Sequence, residues 1–141
     1  MADKGHLIII SGPSGVGKGT VCDKLLKQRG NIVKSVSVTT RKPRAGEIDG
    51  VDYFFKSRQE YEELKKKGGF LETFSIYDNF YGTPTEFVEK NINDGKSVLL
   101  EIDVQGALAV KQKMPDAKLI FLAPPSIEHL VQRLSKRNTE D

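Results

Sequence analysis

The chain reads Leu7-Ile8-Ile9-Ile10-Ser11-Gly12-Pro13-Ser14-Gly15-Val16-Gly17-Lys18-Gly19-Thr20 near its start, and this stretch decides the fold. Its first four residues are apolar and mostly β-branched, which predicts a short strand buried on both faces. The strand leads into the pattern G-x-x-x-x-G-K, and a helix is expected to follow. Because glycines let backbone N–H groups converge on phosphate oxygens, and a helix N-terminus favours an anion, this arrangement predicts a phosphate-binding loop.

The predicted loop assigns nucleotide binding to a run of consecutive residues. They are Gly12, Pro13, Ser14, Gly15, Val16, Gly17, Lys18, Gly19 and Thr20. Lys18 is expected to reach the β- and γ-phosphates of a triphosphate. The motif places Ser or Thr directly after its lysine, where the hydroxyl binds Mg²⁺, but here Gly19 takes that position. We therefore expect Mg²⁺ to depend on water and on acidic residues elsewhere.

Glu101 and Asp103 are the candidates for that metal-linked role, directly or through water. They follow a second apolar strand, predicted over residues 97–102. Residues two apart lie on the same side of a strand, so we expect both carboxylates to point the same way. Carboxylates at the C-terminal end of a strand beside the loop strand suit a metal site. The alternative is a solvated strand end.

Strand and helix patterns alternate along the chain, which predicts an α/β fold with a mostly parallel central sheet, the three-layer architecture of P-loop NTPases. A helix over residues 105–113, a strand over 118–122 and a helix after Ser126 continue the alternation. Residues 35–82 differ, with short β-like pieces and a charged helix over 58–67. We predict a core formed by residues 1–34 and 83–141, and a small mixed β/α insertion over 35–82. Thr83-Pro84 is expected to open a helix that runs to about residue 93.

Composition and charge narrow the class of protein. The 22 basic and 19 acidic residues leave a net charge of +3, too balanced to indicate a nucleic-acid or membrane binder. The single cysteine, Cys22, excludes an internal disulfide and favours the reducing cytoplasm. The apolar run at residues 7–10 is too short for a signal peptide or a membrane span. His6 and His129 have no partners at a recognisable spacing.

A second set of motifs indicates the acceptor substrate. Residues 37–53 include Ser37-Val38-Thr39-Thr40-Arg41-Lys42-Pro43-Arg44-Ala45-Gly46-Glu47 and Asp49-Gly50-Val51-Asp52-Tyr53. Later segments are Gly69-Phe70-Leu71-Glu72, Tyr81-Gly82-Thr83, Glu101-Ile102-Asp103-Val104-Gln105-Gly106 and Ala123-Pro124-Pro125-Ser126. Together they resemble guanylate kinases over nearly the whole chain.

The resemblance implies a GMP site with a separate role for each residue type. Its members are Ser37, Arg41, Arg44, Glu47, Tyr53, Glu72, Tyr81, Thr83, Glu101 and Asp103. The two arginines and the two tyrosines would hold the phosphate, and Glu47 would support the arginines or the loop region. Ser37, Glu72 and Thr83 would bind the guanine base, and the Thr83 hydroxyl would donate to guanine O6. Glu101 and Asp103, at the end of the second predicted strand, would lie between the base, the phosphate and the metal.

These residue types suit that chemistry. Arginine is a delocalised, permanent cation that fits a phosphate dianion. A carboxylate accepts from guanine N1–H and the 2-amino group, whereas adenine would leave it unpaired, at a cost of ~1–3 kcal/mol for each buried group. Other interpretations stay open: the arginines as a solvated loop, the tyrosines as core aromatics, and Glu72 as a surface charge.

The implied reaction is transfer of the γ-phosphate of ATP to GMP with Mg²⁺, by positioning and charge stabilisation. The catalytic residues it implies are Lys18, Arg41, Arg44, Arg133 and Arg137. The last two would begin a lid over residues 133–141, and since family members continue past this point we expect a fragment. The alternatives are a catalytically inactive guanylate-kinase-like interaction domain and a related kinase with another acceptor, such as a ribose bisphosphate. Assembly into a homo-oligomer is left open.

Overall fold

The structure is a computed structural model, and it describes residues 4–13 and 16–123. Four helices and eight strands lie in these residues. The strands are β1 Leu7–Ser11, β2 Ile32–Lys34, β3 Val38–Thr39, β4 Phe54–Phe55, β5 Phe70–Ile76, β6 Asn79–Pro84, β7 Ser97–Glu101 and β8 Lys118–Phe121. The helices are α1 Lys18–Gln28, α2 Arg58–Lys66, α3 Thr85–Asn93 and α4 Val104–Lys113.

The first sheet is parallel throughout and has the order β2-β7-β1-β8. Strand β1 lies between β7 and β8, so its side chains are covered on both faces. Leu7 and Ile9 pack in the cluster that contains residues of α3 and α4. Ile8 and Ile10 pack in the opposite cluster, with Cys22 of α1. This explains why the strand reads as an uninterrupted apolar run, and the predicted α/β class is confirmed.

The second sheet has the order β4-β3-β6-β5 and is mixed. β3 pairs with β4 in parallel and with β6 antiparallel, and β5 and β6 form an antiparallel hairpin. Helix α2 covers this sheet through Tyr61, which packs with Val38 and Phe70. The helix starts with a capping box, in which the Ser57 hydroxyl accepts from the Glu60 N–H and the Glu60 carboxylate accepts from the Ser57 N–H.

The predicted helix at Thr83-Pro84 begins later than expected. Both residues belong to β6, Pro84 is the N-cap, and α3 starts at Thr85. The reason is tertiary, because Thr83 pairs with Glu72 and Pro84 with Phe70 in the hairpin. β6 thus extends two residues past the predicted boundary of the insertion. Strands β2, β5 and β6 were not predicted, and the helix expected after Ser126 lies outside the described residues.

Candidate active site

The phosphate loop joins β1 to α1 with the backbone that its glycines permit. Gly12 and Gly17 have φ angles of 149° and 100°, in the region that favours glycine. A side chain at Gly12 would also lie 2.4 Å from the Leu122 carbonyl oxygen. The Lys18 ammonium donates to the Gly12 carbonyl at 2.9 Å. Ser14 and Gly15, also assigned to nucleotide binding, lie outside the described residues.

The start of α1 offers backbone N–H groups to an anion. Its N-cap is Gly17, and no side chain in the described part of the chain caps it. The first N–H groups of a helix have no partner within the helix, and they carry the positive end of its dipole. With the loop glycines, this end of α1 provides the donors that a triphosphate requires.

The surroundings of Gly19 bear on Mg²⁺. Among the described residues, the one atom within 4 Å of a Cβ atom built at Gly19 is Oε1 of the Glu101 carboxylate, at 4.0 Å, so an acidic group lies beside the position where the motif usually has a hydroxyl. No group of three or more His, Cys, Asp or Glu side chains in the described residues is arranged to hold a metal ion. Mg²⁺ at phosphoryl-transfer sites typically uses one or two carboxylates, substrate phosphates and water. The residues present therefore fit Mg²⁺ carried by a nucleotide, with Glu101 as the nearest carboxylate.

Asp103 does not lie on the strand with Glu101, contrary to the prediction. β7 ends at Glu101, and Asp103 is the N-cap of α4, where its Oδ1 accepts from the Gly106 N–H at 2.7 Å. The chain turns from strand to helix between the two residues, so the alternation of a strand no longer applies to them. Both side chains nevertheless line one cavity.

The acceptor motif folds around a bidentate ion pair. Arg41 donates to Glu47 through Nη1 to Oε1 at 2.9 Å and Nη2 to Oε2 at 3.0 Å. The Arg44 N–H also donates to Glu47, at 2.7 Å, while the Arg44 side chain is exposed. Hydrogen bonds from Arg41, then from the Arg44 backbone, lower the pKa of Glu47 to about 2, and the Glu47 hydrogen bond raises the pKa of Arg41 far above its ordinary value. Glu47 thus holds the loop with Arg41 charged.

Aromatic rings surround Arg41 and fix its direction. Its guanidinium lies 5.2 Å from the centre of the Tyr53 ring. The centres of the Tyr53 and Tyr81 rings lie 6.0 Å apart in an edge-on contact, and the Phe74 ring stacks on Tyr81 at 5.1 Å. Both tyrosine side chains also contribute, less than Glu47 does, to the raised pKa of Arg41. The structure thus brings the two tyrosines and Arg41 into one cluster.

Glu72 and Thr83 form a buried pair across the β5–β6 hairpin. Thr83 Oγ1 donates to Glu72 Oε1 at 2.9 Å. Both residues are buried, since Thr83 is 0% exposed and Glu72 is 8% exposed. Burial raises the pKa of Glu72, the Thr83 hydrogen bond opposes this, and the Asp103 charge adds to it. The threonine hydrogen is engaged with the carboxylate here, whereas the sequence predicted that it donates to guanine O6. Glu72 is buried, not a surface charge.

Two cavities meet at Glu101. One, of about 510 Å³, is lined by Glu72, Glu101 and Asp103. The other, of about 230 Å³, is lined by Ser37, Tyr53 and Glu101 and lies against Cys22 of α1. The carboxylate candidates for the base and the polar candidates from the acceptor motif therefore line adjoining spaces beside the loop helix. Arg133 and Arg137, expected to begin a lid, lie outside the described residues.

Comparison with known proteins identifies the family. The family model described as guanylate kinase matches residues 4–141. The chain belongs to the guanylate kinase family. It is 53% identical over 137 residues to a guanylate kinase from Caldanaerobacter subterraneus subsp. tengcongensis, a match that covers 97% of this chain and 66% of that protein. A guanylate kinase from Clostridioides difficile is also 53% identical, with 97% and 67% covered.

A solved structure agrees with these sequence matches. The crystal structure of guanylate kinase from Anaplasma phagocytophilum aligns with a TM-score of 0.67 and 41% identity, covering 98% of this chain and 71% of that one. The chain spans about two thirds of the length of the curated guanylate kinases that it matches. None of the helices within 4–13 and 16–123 has the length and apolar character that crossing a membrane requires.

Sequence reasoning missed two contributors to this guanylate kinase site. Phe74 stacks on Tyr81, and Lys113 lines the cavity of Glu72. The sequence gives a weak indication for Phe74, because it lies two residues from Glu72 and therefore on the same side of β5. It gives none for Lys113, because Lys111, two residues earlier in the same helix, has a similar sequence context. Cys22 is buried and burial raises the pKa of its thiol to about 11, as expected for a packed cysteine.

Proposed function

We propose that the protein transfers the γ-phosphate of ATP to GMP and gives ADP and GDP, with Mg²⁺. The observation that carries the proposal is the buried Glu72 carboxylate, which is hydrogen-bonded to Thr83 and lines a cavity together with Glu101. A buried carboxylate facing such a cavity is a strong acceptor for a donor edge of matching shape. Guanine presents N1–H and a 2-amino group there, and adenine does not.

The roles of the other residues follow from their positions. Lys18 and the N–H groups at the start of α1 bind the phosphates of ATP. Arg41, pre-oriented by Glu47 and the tyrosines, and Arg44, whose exposed side chain is available, bind the phosphate of GMP. The acceptor is already an anion, so the residues need to align and neutralise the reactants and no strong base is required.

Glu101, with Asp103 beside it, is the residue that would hold Mg²⁺ through water. When bound, the metal neutralises charge on the ATP phosphates. One oxygen of Asp103 already accepts a hydrogen bond as the N-cap of α4, and Glu101 lies near Gly19. We therefore assign the main role in holding Mg²⁺ to Glu101. The cytoplasm is the compartment that we infer, since Cys22 is a free, buried thiol.

Calorimetric titration of the 141-residue chain with GMP, and with AMP as control, tests the acceptor assignment. We expect selective GMP binding that Glu72→Gln weakens by about 10-fold or more, because an amide presents an N–H where guanine also presents donors. Glu63→Gln, an exposed carboxylate on α2, is the matched control and should change nothing. Equal binding of GMP and AMP would refute the guanine assignment.

Production of GDP from ATP and GMP, followed chromatographically, tests the reaction itself. The chain spans only part of its relatives' length, so turnover is measured on this chain and on a longer natural guanylate kinase from one of these organisms as a positive control. GMP binding by this chain without GDP formation, in an assay where the positive control turns over, would favour the alternative of a catalytically inactive interaction domain.

A further inference from the structure

A cation outside all of the sequence motifs lines the cavity of Glu72. Among the described residues that line this cavity, Lys113 is the one lysine or arginine. It is the last residue of α4, and its side chain is largely exposed. Its ammonium nevertheless donates to the Phe70 carbonyl at 2.9 Å, across 43 positions of sequence. The bond ties the end of a core helix to β5 of the second sheet.

The bond falls where the pairing of β5 is irregular. Phe70 pairs with Pro84 and Glu72 with Thr83, so two steps on β5 match one step on β6. Such a bulge leaves the backbone less constrained by its partner strand and redirects the side chains beside it. The hydrogen bond from Lys113 to the Phe70 carbonyl holds this part of β5 to helix α4, two residues before Glu72.

Helix α4 faces Glu72 along much of its length. Asp103 caps its start, and a Cβ atom built on Gly106 would lie 3.5 Å from Glu72 Oε2. Burial and the Asp103 charge oppose ionisation of Glu72, while the Thr83 hydrogen bond and the Lys113 charge favour it. Glu101 lines the same cavity from the end of β7. Lys113 therefore supplies both a tether for the strand and a favourable charge in a cavity whose other charged lining residues are carboxylates.

We propose that Lys113 is a positioning residue for recognition of the acceptor base: it ties the bulged part of β5 to α4 and so holds the Glu72 carboxylate in place to bind the guanine edge. The inference rests on the proposed function, because GMP supplies the base that Glu72 would bind. Lys113 acts through Glu72 and the Phe70 carbonyl, and it is not assigned contact with the reacting atoms.

The test compares two lysines of the same helix. Lys111 also donates to backbone carbonyls, those of Pro115 at 2.6 Å and Ala117 at 2.5 Å, but it does not line the Glu72 cavity. Lys113→Met, Lys113→Arg and the control Lys111→Met are titrated with GMP and separately with ATP, and each is melted thermally. We expect Lys113→Met to weaken GMP binding about tenfold, with ATP binding within about twofold of the wild type. Lys113→Arg should restore GMP binding to within about threefold, and Lys111→Met should leave it unchanged even where it lowers the melting temperature.

Several outcomes would overturn the inference. They are GMP binding by Lys113→Met within about twofold of the wild type, an equal loss of GMP and ATP binding, and a loss in Lys111→Met as large as in Lys113→Met. If Lys113→Met melts below the titration temperature, Lys113→Gln is titrated in the cold by the same criteria. A wild type that does not select GMP over AMP would remove the proposed function and this inference together, whereas a selective wild type with an insensitive Lys113 removes this inference alone.

Discussion

At the scale of single residues, Glu72 shows how a binding site can oppose stability. The side chain is buried and its only hydrogen-bond donor among the described residues is the Thr83 hydroxyl. A carboxylate with so few donors is costly to keep charged, and burial accordingly raises its pKa. Such a group does not stabilise the fold at neutral pH, which agrees with the proposed role of Glu72 in binding the guanine edge.

Glu72→Gln should therefore stabilise the fold at neutral pH while it weakens GMP binding. With its pKa raised above the ordinary 4.5, the folded state holds the Glu72 proton more tightly than the unfolded state does. This contribution is fully present below 4.5 and is lost as pH rises through the raised pKa. Urea unfolding measured between about pH 4 and about pH 8 should show the stability of the variant rising relative to that of the wild type as pH rises. A variant that is less stable at neutral pH would mean that the Thr83 hydrogen bond outweighs the desolvation.

Glu47 should behave in the opposite way. Its pKa is lowered to about 2 by Arg41 and then by the Arg44 N–H, so its contribution is fully present above 4.5 and is lost as pH falls through about 2. We expect the Glu47 carboxyl carbon, followed by NMR, to titrate with a midpoint well below the ordinary 4.5. Arg44→Ala retains the backbone donor and should leave the midpoint low, whereas Arg41→Ala should raise it. A wild-type midpoint near 4.5 would contradict the bidentate pair.

At the scale of elements, the β5–β6 hairpin carries both a bulge and a strained turn. Its two-residue connection is Tyr77-Asp78, because Ile76 pairs with Asn79. Tyr77 has a φ of 55° and is 96% exposed, so no packing compensates for its left-handed backbone. Two-residue hairpins favour glycine or asparagine at such positions.

Replacing Tyr77 by glycine should raise the free energy of unfolding by roughly 0.5–1 kcal/mol. A left-handed backbone costs an L-residue about 1–2 kcal/mol, and the greater freedom that glycine loses on folding offsets part of the gain. Chemical denaturation measures the change. Asp78→Gly is the control: Asp78 has no positive φ, so its replacement should bring no gain. An equal effect of the two substitutions would show that the turn is not strained at Tyr77.

At the scale of the whole molecule, the candidate site lies between two sheets. The loop, α1 and Glu101 belong to the first sheet and its helices, while Arg41, Tyr53, Glu72 and the Thr83 hydroxyl belong to the second sheet and its loops. A ligand that spans the two cavities contacts both units. Binding should therefore stabilise the molecule as a whole.

GMP should raise the thermal stability of the chain in proportion to its saturation. At 100 times the dissociation constant, the expected gain is about 2.7 kcal/mol, since ligand binds the folded state alone. Differential scanning calorimetry with increasing GMP measures it, with AMP at equal concentrations as the comparison. At the GMP concentration that gives the wild type about 2.7 kcal/mol, a Glu72→Gln variant that binds tenfold more weakly should gain only about 1.4 kcal/mol. No shift at saturating GMP would contradict a site built from both sheets.

The predictions from sequence succeeded where structure depends on neighbouring residues. The run Ile8-Ile9-Ile10 predicted a doubly covered strand, and the strand lies between two others with a hydrophobic cluster on each face. The loop glycines and the helix after them also follow from local geometry. The motifs around Arg41 and Glu72 indicated the family, which the comparisons confirm.

By itself, the sequence determined the α/β class and the loop between β1 and α1, because short-range periodicity and loop glycines encode them directly, and the resemblance of its later motifs indicated the family. The tertiary structure decided which residues meet. The pairing of β5 with β6 gave Glu72 its Thr83 partner, the turn after β7 made Asp103 a helix cap, and the end of α4 brought Lys113 to the Phe70 carbonyl. These contacts join residues 11 to 43 positions apart, or depend on where a strand stops, and only the packing of the two sheets against their helices selects among the alternatives.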